Sequence, residues 1–373
     1  MKLVIVTDAW APQTNGVVTT LANTVQQLGE MGHEVIPITP EGFRTVPCPG
    51  YREIRLSVGA RKTVAKMLDA AAPDTVHIAT EGPLGLAARA WCKANDFPFV
   101  TSLHTRFPEY IRMRAPVPLA LSYGWLRRFH APAQTTLVRS KTQKKLLTER
   151  GFKHLKVWPG AVDTTLFRPR GKRALCLPRP ISMYMGRVAV EKGLDDFLRL
   201  GLPGSKVVIG GGPDLDRLQE DYPEAHFLGP KYGEELAGLL SAADVFVFPS
   251  RTDTLGLVML EALACGVPVA AYPVPGPQDV VRDGHTGALD DNLESAVFRA
   301  LRVNPDACVE FAAEYDWRRS TERFLRAQYT LQPRDGHHHD SNCAPTANPD
   351  VSSAYVAPPI NPRNSSDHLA QVR

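Results

Sequence analysis

The chain has 373 residues, more than one hydrophobic core usually holds, so its length predicts two domains. Its composition, 43% hydrophobic and 22% charged, excludes a fibrous or wholly disordered protein. The formal net charge is only +4, but residues 1–170 carry 23 Lys and Arg against 12 Asp and Glu, whereas the remainder carries 20 against 27. An anionic partner should therefore approach the first half, although a solvated basic face is equally compatible with charge alone.

Cysteine usage and the apolar runs indicate the compartment. The six cysteines show no C-x-x-C pair and no zinc-like spacing, which argues against a disulfide framework and a metal site. The apolar run Met1–Thr7 is too short for a signal sequence, and no later run reaches the roughly 18 apolar residues of a membrane span. We therefore expect a cytoplasmic protein that is not integral to a membrane.

The chain alternates short apolar runs with amphipathic segments in two series. Runs that predict buried strands lie at residues 2–7, 35–38, 75–78, 99–102, 136–138, 181–185, 206–209, 245–248 and 267–270. Segments that predict helices lie at residues 17–31, 87–93, 194–200, 234–242, 257–265 and 318–329. Strands that alternate with helices predict an α/β protein with two Rossmann-like, doubly wound parallel sheets.

Composition changes divide the chain into predicted segments. A Pro-, Gly- and Arg-rich linker at residues 169–180 separates a first domain, 1–168, from a second, 181–314. A terminal helical segment, 315–331, follows. The last segment, 332–373, has few large apolar residues, so burial cannot offset the entropy of ordering and we expect a disordered tail.

A loop of Pro, Asn and Gly, residues 12–17, joins the first predicted strand to the first helix. Ligands bind open α/β sheets at the carboxyl ends of strands, where a helix N-terminus favours phosphate. Gly16 would let a ligand approach the backbone closely. An ordinary tight turn explains this loop equally well.

The second series begins with a strand followed by G-R-x3-E-K-G, residues 186–193. Arg187 and Lys192 lie five positions apart across a turn, so both cations could converge on a diphosphate, Arg as a fork and Lys as a point charge. The alternative is a surface turn whose cations face solvent.

A further motif spans residues 249–262 and contains Asp253 and Glu261 on either side of a glycine turn. Glu261 lies on an apolar predicted helix, where an unpaired carboxylate is costly. Hydrogen bonds from the two hydroxyls of a bound ribose would offset that cost. The alternative is an ion pair with a structural Arg.

These two strings, G-R-x3-E-K-G and S-x2-D-x7-E-A-L-A-C-G-V-P-V, resemble in order and separation those of glycosyltransferase family 4, which has the GT-B fold. The resemblance covers roughly residues 1–330. It implies that Arg187 and Lys192 bind the donor diphosphate, Glu261 the ribose hydroxyls and Asp253 hydroxyls of the donor sugar. The family usually has Glu where Asp253 stands, so that contact is one methylene shorter here.

The resemblance also implies a role for His104, which follows a buried strand and matches the family's histidine that faces the donor sugar. It implies retention of anomeric configuration by a front-face route, and a terminal helix that crosses back to the first domain, anchored by Trp317 and Phe324. The remaining predicted donor-binding residues are Asn15, Gly16, Gly211, Leu255, Gly256 and Leu257.

The turn at residues 210–213 matches the family's G-x-G-P beside the nucleotide, and Asp214-Leu215-Asp216 follows it. We interpret these aspartates as helix N-terminal acids, because GT-B enzymes stabilise the leaving group with cations. No metal and no other cofactor is predicted.

Residues 106–129 interleave aromatic and basic side chains, as a surface at an anionic lipid interface would. The predicted acceptor or membrane residues are Arg106, Phe107, Tyr110, Arg112, Arg114, Trp125, Arg127 and Arg128. The region resembles bacterial family members that glycosylate diacylglycerol or phosphatidylinositol-type lipids. The alternative is a packed helix pair beside the cleft.

The sequence therefore predicts a retaining hexosyltransferase, peripheral to the inner face of the cell membrane, with a lipid acceptor and no nucleic-acid partner. The expected donor is UDP-glucose or UDP-glucuronic acid, with GDP-mannose second. A sugar-nucleotide epimerase, a transferase for a soluble or glycan acceptor, and a non-catalytic nucleotide-sugar-binding module remain as alternatives.

Overall fold

The computed structural model describes residues 1–13, 15–48 and 51–329. Within these ranges the first half of the chain contains strands β1 (Lys2–Val6), β2 (Glu34–Ile38), β3 (Thr45–Cys48), β4 (Tyr51–Ser57), β5 (Thr75–Ile78), β6 (Phe99–Leu103), β7 (Thr135–Val138) and β8 (Leu155–Val157). Its helices are α1 (Gly16–Glu30), α2 (Ala60–Ala71), α3 (Pro83–Ala94), α4 (Phe107–Arg114), α5 (Leu119–His130) and α6 (Lys141–Glu149). The predicted tail, 332–373, lies outside the described residues.

The second half contains strands β9 (Ile181–Met185), β10 (Ser205–Ile209), β11 (His226–Phe227), β12 (Val245–Phe248), β13 (Val269–Ala271) and β14 (Gly287–Leu289). Its helices are α7 (Leu194–Leu198), α8 (Leu215–Asp221), α9 (Gly233–Ala242), α10 (Leu257–Ala264), α11 (Pro277–Val280), α12 (Leu293–Ala300), α13 (Pro305–Ala312) and α14 (Trp317–Tyr329). A short 3₁₀ turn covers Val190–Lys192, and residues 158–180, which include the predicted linker, form no helix or strand.

Two six-stranded parallel sheets organise these elements, which confirms the predicted α/β class. The first has the order β2-β1-β5-β6-β7-β8 and the second β11-β10-β9-β12-β13-β14. Their central strands are buried on both faces and rich in Val, Ile and Leu, as parallel strands covered by helices must be. A two-stranded antiparallel hairpin, β3-β4, lies apart from both sheets and is not predicted from the sequence pattern.

Strand order decides which loops can form a site. In the second sheet β9 lies between β10 and β12, so the loops that leave β9 and β12 at their carboxyl ends lie side by side. This is the switch point at which open α/β sheets bind ligands. It holds the two motifs at residues 186–193 and 249–262.

The final helix, α14, packs on the first sheet although it follows the second sheet in sequence. Phe324 is fully buried there, in a cluster with Leu3, Ile5 and Trp158. The Ser320 hydroxyl also donates to the Pro159 carbonyl at 2.8 Å. The helix therefore ties the end of the described chain to the first half.

We expect Phe324→Ala to destabilise the first half by about 3–5 kcal/mol, because it removes a fully buried aromatic ring and leaves a cavity. The urea midpoint of unfolding, followed by tryptophan fluorescence, measures the effect. Phe298→Ala is the matched control, since Phe298 is 42% exposed and its removal should change the midpoint little. Equal shifts in the two variants would show that α14 is not anchored by Phe324.

Candidate active site

The loops after β9 and β12 are joined by an ion pair between two predicted site residues. Lys192 Nζ donates to Asp253 Oδ1 at 2.6 Å, and both side chains are largely buried. The second oxygen, Asp253 Oδ2, is buried and has no hydrogen-bond partner in the described part of the chain. The pair therefore leaves one acceptor oxygen at the switch point to bind a ligand hydroxyl.

The charge on Lys192 is held by its surroundings. Burial opposes that charge, but Asp253, Tyr110 and Tyr184 outweigh it and raise the Lys192 pKa. Tyr184 also donates from its hydroxyl to the Arg187 carbonyl at 2.8 Å. The two predicted diphosphate-binding cations thus share one buried tyrosine, which fixes the backbone between them.

Glycines let the turn at residues 210–212 lie directly against the loop after β9. A Cβ at Gly210 would lie 1.8 Å from the Gly186 carbonyl oxygen, and one at Gly212 would lie 2.1 Å from the Val188 carbonyl oxygen. Between them, the Gly211 carbonyl accepts the Val188 amide at 2.9 Å. Asp214 precedes α8 and Asp216 lies in its first turn, which is the helix N-terminal position predicted for both acids.

Glu261 lies on α10 and is partly buried. Burial raises the pKa of its carboxyl to about 7. Within the described ranges this carboxyl has no ion-pair or hydrogen-bond partner, so the alternative of a structural Arg partner fails there. A carboxylate held at this cost favours a ligand with hydroxyl donors.

His104 directly follows β6, at the edge of the first sheet. Its Nε2 is 2.8 Å from the Ser102 hydroxyl. Burial first, and then the neighbouring Arg139 and His77 side chains, lower the His104 pKa well below its usual value. The imidazole is therefore neutral at physiological pH and can form hydrogen bonds but carries no charge.

The two halves of the chain meet at residues 254–257, which include three of the predicted donor-binding residues. The Thr254 hydroxyl donates to the His104 carbonyl at 2.6 Å. A Cβ at Gly160 would lie 2.3 Å from Leu255 Cδ2 and 2.7 Å from Leu257 Cδ2, so any larger residue there would displace these leucine side chains. These contacts bring the segment after Asp253 directly against His104.

Gly16 and its neighbour Asn15 lie at the same junction. A Cβ at Gly16 would lie 3.6 Å from Leu257 Cδ1. Asn15 caps α1, and its Oδ1 accepts from the Val17 and Val18 amides at 3.0 and 3.1 Å. The Asn15 side chain therefore has a structural task, and Gly16 begins a helix that points its N-terminus at the junction.

Family models match both halves of the chain. The model for Glycosyltransferase Family 4 matches residues 14–166, and the model for Glycosyl transferases group 1 matches residues 179–302. The chain is 32% identical to the sulfoquinovosyl transferase SQD2 of Arabidopsis thaliana over 83% of this chain and 69% of that protein. It is 30% identical to a GDP-mannose-dependent alpha-mannosyltransferase of Mycobacterium tuberculosis over 78% of this chain and 83% of that protein.

The chain belongs to glycosyltransferase family 4. Solved structures with the same fold include Anabaena HepE in complex with UDP and glucose, with a TM-score of 0.66 and 14% identity over 88% of this chain and 100% of that chain. Sucrose-phosphate synthase from Thermosynechococcus elongatus gives a TM-score of 0.69 and 18% identity over 88% of this chain and 98% of that chain. These structures establish the GT-B fold, and the family establishes the chain as a glycosyltransferase.

The predicted acceptor residues of the transferase divide into two groups. Arg106 lies inside, where it pairs with Glu109 at 2.7 Å, while Tyr110 lies close enough to Lys192 to affect its pKa. Phe107 is partly buried at the start of α4. The inner group thus belongs to the cleft and not to an outer surface.

The outer group lies on α4 and α5. Arg112, Trp125, Arg127 and Arg128 are exposed, beside the exposed apolar side chains Ile111, Met113 and Leu121. Arg114 ends α4, and its side chain lies outside the described part of the structure. Trp125 is 50% exposed and Leu121 is 67% exposed, so the α4–α5 pair presents an apolar and basic surface.

Sequence reasoning misses Arg139, which lies close to His104. Arg139 directly follows β7, and its guanidinium lies over the Trp158 ring with its carbon 4.6 Å from the ring centroid. Its terminal nitrogens are buried without a partner in the described ranges, and burial lowers its pKa to about 9. A charged residue immediately after a buried strand is the same signal that identified His104, so Arg139 could have been found.

Two structural absences concern the described ranges alone. No helix in that part of the transferase is long and apolar enough to cross a bilayer. Nor do any three His, Cys, Asp or Glu side chains there lie close enough together to hold a metal ion.

We expect Glu261→Gln to stabilise the transferase by about 1–3 kcal/mol at pH 8 and to have little effect below pH 4.5. The folded pKa is raised, so the ionised carboxylate costs stability only where it is ionised, and the gain should grow as pH rises from 4.5 to 7. Thermal unfolding of both proteins across that range measures the gain. A constant difference at every pH would contradict the unpaired carboxylate.

Proposed function

We propose that the transferase moves a hexose or hexuronic acid, with retention, from a nucleotide-diphosphate sugar to a membrane lipid such as diacylglycerol. The observation that carries this proposal is the junction at Thr254. There the Lys192–Asp253 pair of the second half lies against His104 of the first half. A cation for a leaving phosphate and an acceptor oxygen for a sugar hydroxyl thus lie on loops of the second half, one of which contacts the backbone of a neutral histidine.

Each part of the nucleotide-sugar donor has a proposed partner in the protein. Arg187 and Lys192 neutralise the charge that develops on the diphosphate, and the carboxylate of Glu261 accepts from the ribose hydroxyls. Asp253 accepts from a sugar hydroxyl through Oδ2, since Oδ1 is engaged by Lys192. His104 orients the sugar so that the anomeric carbon faces the acceptor.

The proposed chemistry needs no protein nucleophile. On the front-face route, the bond from the anomeric carbon to the diphosphate oxygen breaks while the acceptor oxygen bonds the same face of that carbon. The leaving phosphate oxygen takes the acceptor's proton. The transferase supplies positioning and electrostatic stabilisation. Its fixed cations stabilise the negative charge on the leaving diphosphate, as a metal ion does in other enzymes.

The two relatives support different donors. One is named for a sulfoquinovosyl group and the other for GDP-mannose. We propose UDP-glucose or UDP-glucuronic acid as the first candidate donor and GDP-mannose as the second. This order follows the resemblance of the α4–α5 region to family members that glycosylate diacylglycerol.

The lipid acceptor is supported by the exposed surface of α4 and α5. Its apolar side chains would enter the acyl boundary, and its arginines would contact lipid phosphates. We therefore propose that the transferase binds the inner face of the cell membrane through this pair. Tyr110, on the same helix pair, reaches the cleft, so bound lipid would lie next to the donor.

Product analysis tests the proposed function. Purified transferase is incubated with membrane lipid extract and, separately, UDP-glucose, UDP-glucuronic acid, UDP-galactose and GDP-mannose. We expect one donor to yield an α-linked glycolipid, with turnover preserved in EDTA, and we expect Lys192→Met to lower turnover by about 10²–10³-fold.

The other outcomes of this experiment separate the alternatives. Donor hydrolysis without glycolipid would move the acceptor to a soluble or glycan molecule. An isomerised donor in the absence of lipid would favour an epimerase. Donor binding without any turnover would favour a non-catalytic module.

Membrane binding has its own test, in which Leu121→Ser and Trp125→Ser are combined. Each substitution removes about 2 kcal/mol of burial in the acyl boundary, so we expect co-sedimentation with phosphatidylglycerol vesicles to weaken by at least tenfold. Tyr232→Ser is the matched control, because Tyr232 is 55% exposed in the second half. Wild-type binding with no preference for anionic over phosphatidylcholine vesicles would contradict the proposal.

A further inference from the structure

A chain of buried polar side chains leads from His104 to the last described helix. The Ser102 hydroxyl lies 2.8 Å from His104 Nε2 and 3.1 Å from His77 Nε2. On the far side of His77, the Gln328 amide nitrogen is 3.2 Å from Nδ1. The Thr75 hydroxyl closes the chain by donating to Gln328 Oε1 at 3.2 Å.

This polar chain is sealed from water. His77, Ser102, Gln328 and Thr75 are each at most 1% exposed. The rings of Phe324 and Trp158 pack against His77, with centroids 4.7 and 6.1 Å from its own. Solvent therefore cannot supply or remove the protons that these hydrogen bonds use.

The protons that each side chain carries determine which atom donates in each hydrogen bond of the polar chain. Burial lowers the His77 pKa to about 3, so His77 is neutral and has one donor nitrogen and one acceptor nitrogen. Because the Gln328 amide donates to Nδ1, the proton of His77 must be on Nε2 and must point at Ser102. Ser102 then has one proton left to donate.

That proton has two possible acceptors, and their distances decide between them. His104 Nε2 is at 2.8 Å and the Ala79 carbonyl is at 3.4 Å, so the Ser102 hydroxyl donates to His104. His104 is therefore an acceptor at Nε2. A neutral imidazole then has its proton on Nδ1, which has no partner in the described part of the protein.

We propose that Gln328, His77 and Ser102 are positioning residues that fix His104 as its Nδ1–H tautomer, so that it donates a hydrogen bond to an oxygen of the transferred sugar. The role of the sugar rests on the proposed function, whereas the tautomer rests on the polar chain alone. Arg139 and His77 are the charged and titratable groups facing His104, and the Arg139 cation opposes protonation of the imidazole.

This tautomer requires the final helix. Free imidazole side chains favour the Nε2–H form, so the polar chain reverses the intrinsic preference. Its direction is set by the Gln328 amide on α14, 251 residues from His77 in sequence. The helix that packs on the first half thereby determines which nitrogen the transferase presents to its substrate.

The test is ¹⁵N NMR of histidine-labelled transferase, with His104 assigned from the signal lost in His104→Gln. We expect a protonated-type Nδ1 and an unprotonated-type Nε2 that do not titrate between pH 5 and 8. Ser102→Ala and Gln328→Leu should each shift His104 toward the Nε2–H form. Ser182→Ala is the matched control, since Ser182 is also a buried strand serine and its hydroxyl has no partner in the described ranges.

Either of two results would overturn the proposal: an Nε2–H tautomer in the wild type, or an unchanged tautomer in folded Ser102→Ala and Gln328→Leu. Circular dichroism shows whether each variant is folded. With the donor that turns over, we also expect kcat/KM to fall about tenfold in both variants and to stay constant in Ser182→Ala. The predicted tautomer without turnover of any donor would refute the proposed function and leave the polar chain intact.

Discussion

The hydrogen bond from the Thr254 hydroxyl to the His104 carbonyl is the contact on which the arrangement of the site depends. It joins the carboxyl-end loops of two parallel sheets, because Thr254 follows β12 and His104 follows β6. Glycine at position 160 lets Leu255 and Leu257 reach the same junction. Neither half alone combines the loop of Arg187 and Lys192 with the histidine, so the candidate site exists only where the halves meet.

The sequence predicts local elements well, because burial on both faces leaves a pattern in the chain. The strands at 75–78, 181–185 and 245–248 have the predicted bounds, and each of the two motifs directly follows a predicted strand. The pairing of Lys192 with Asp253 is not predicted, because 61 residues separate them and each has a separate task in the family resemblance. Strand order, which no local pattern encodes, brings the pair together.

The polar chain that positions His104 cannot be predicted from the sequence, for a related reason. Ser102, His77 and Gln328 come from β6, β5 and α14, and a lone Ser, His or Gln in an apolar element carries no signal of its own. Only the parallel pairing of β5 with β6, and the return of α14 across the first sheet, make them neighbours. Arg139 differs, since its position directly after a strand was visible in the sequence.

Three of the candidate site residues have polar groups that lack a hydrogen-bond partner in the described ranges. The Glu261 carboxyl, Asp253 Oδ2 and the Arg139 guanidinium nitrogens have no partners in the described ranges. Each costs stability, because burial removes water that would otherwise solvate it. A protein selected for stability alone would pair or replace such groups. Under the proposed function, a bound substrate would supply partners for these groups and offset that cost.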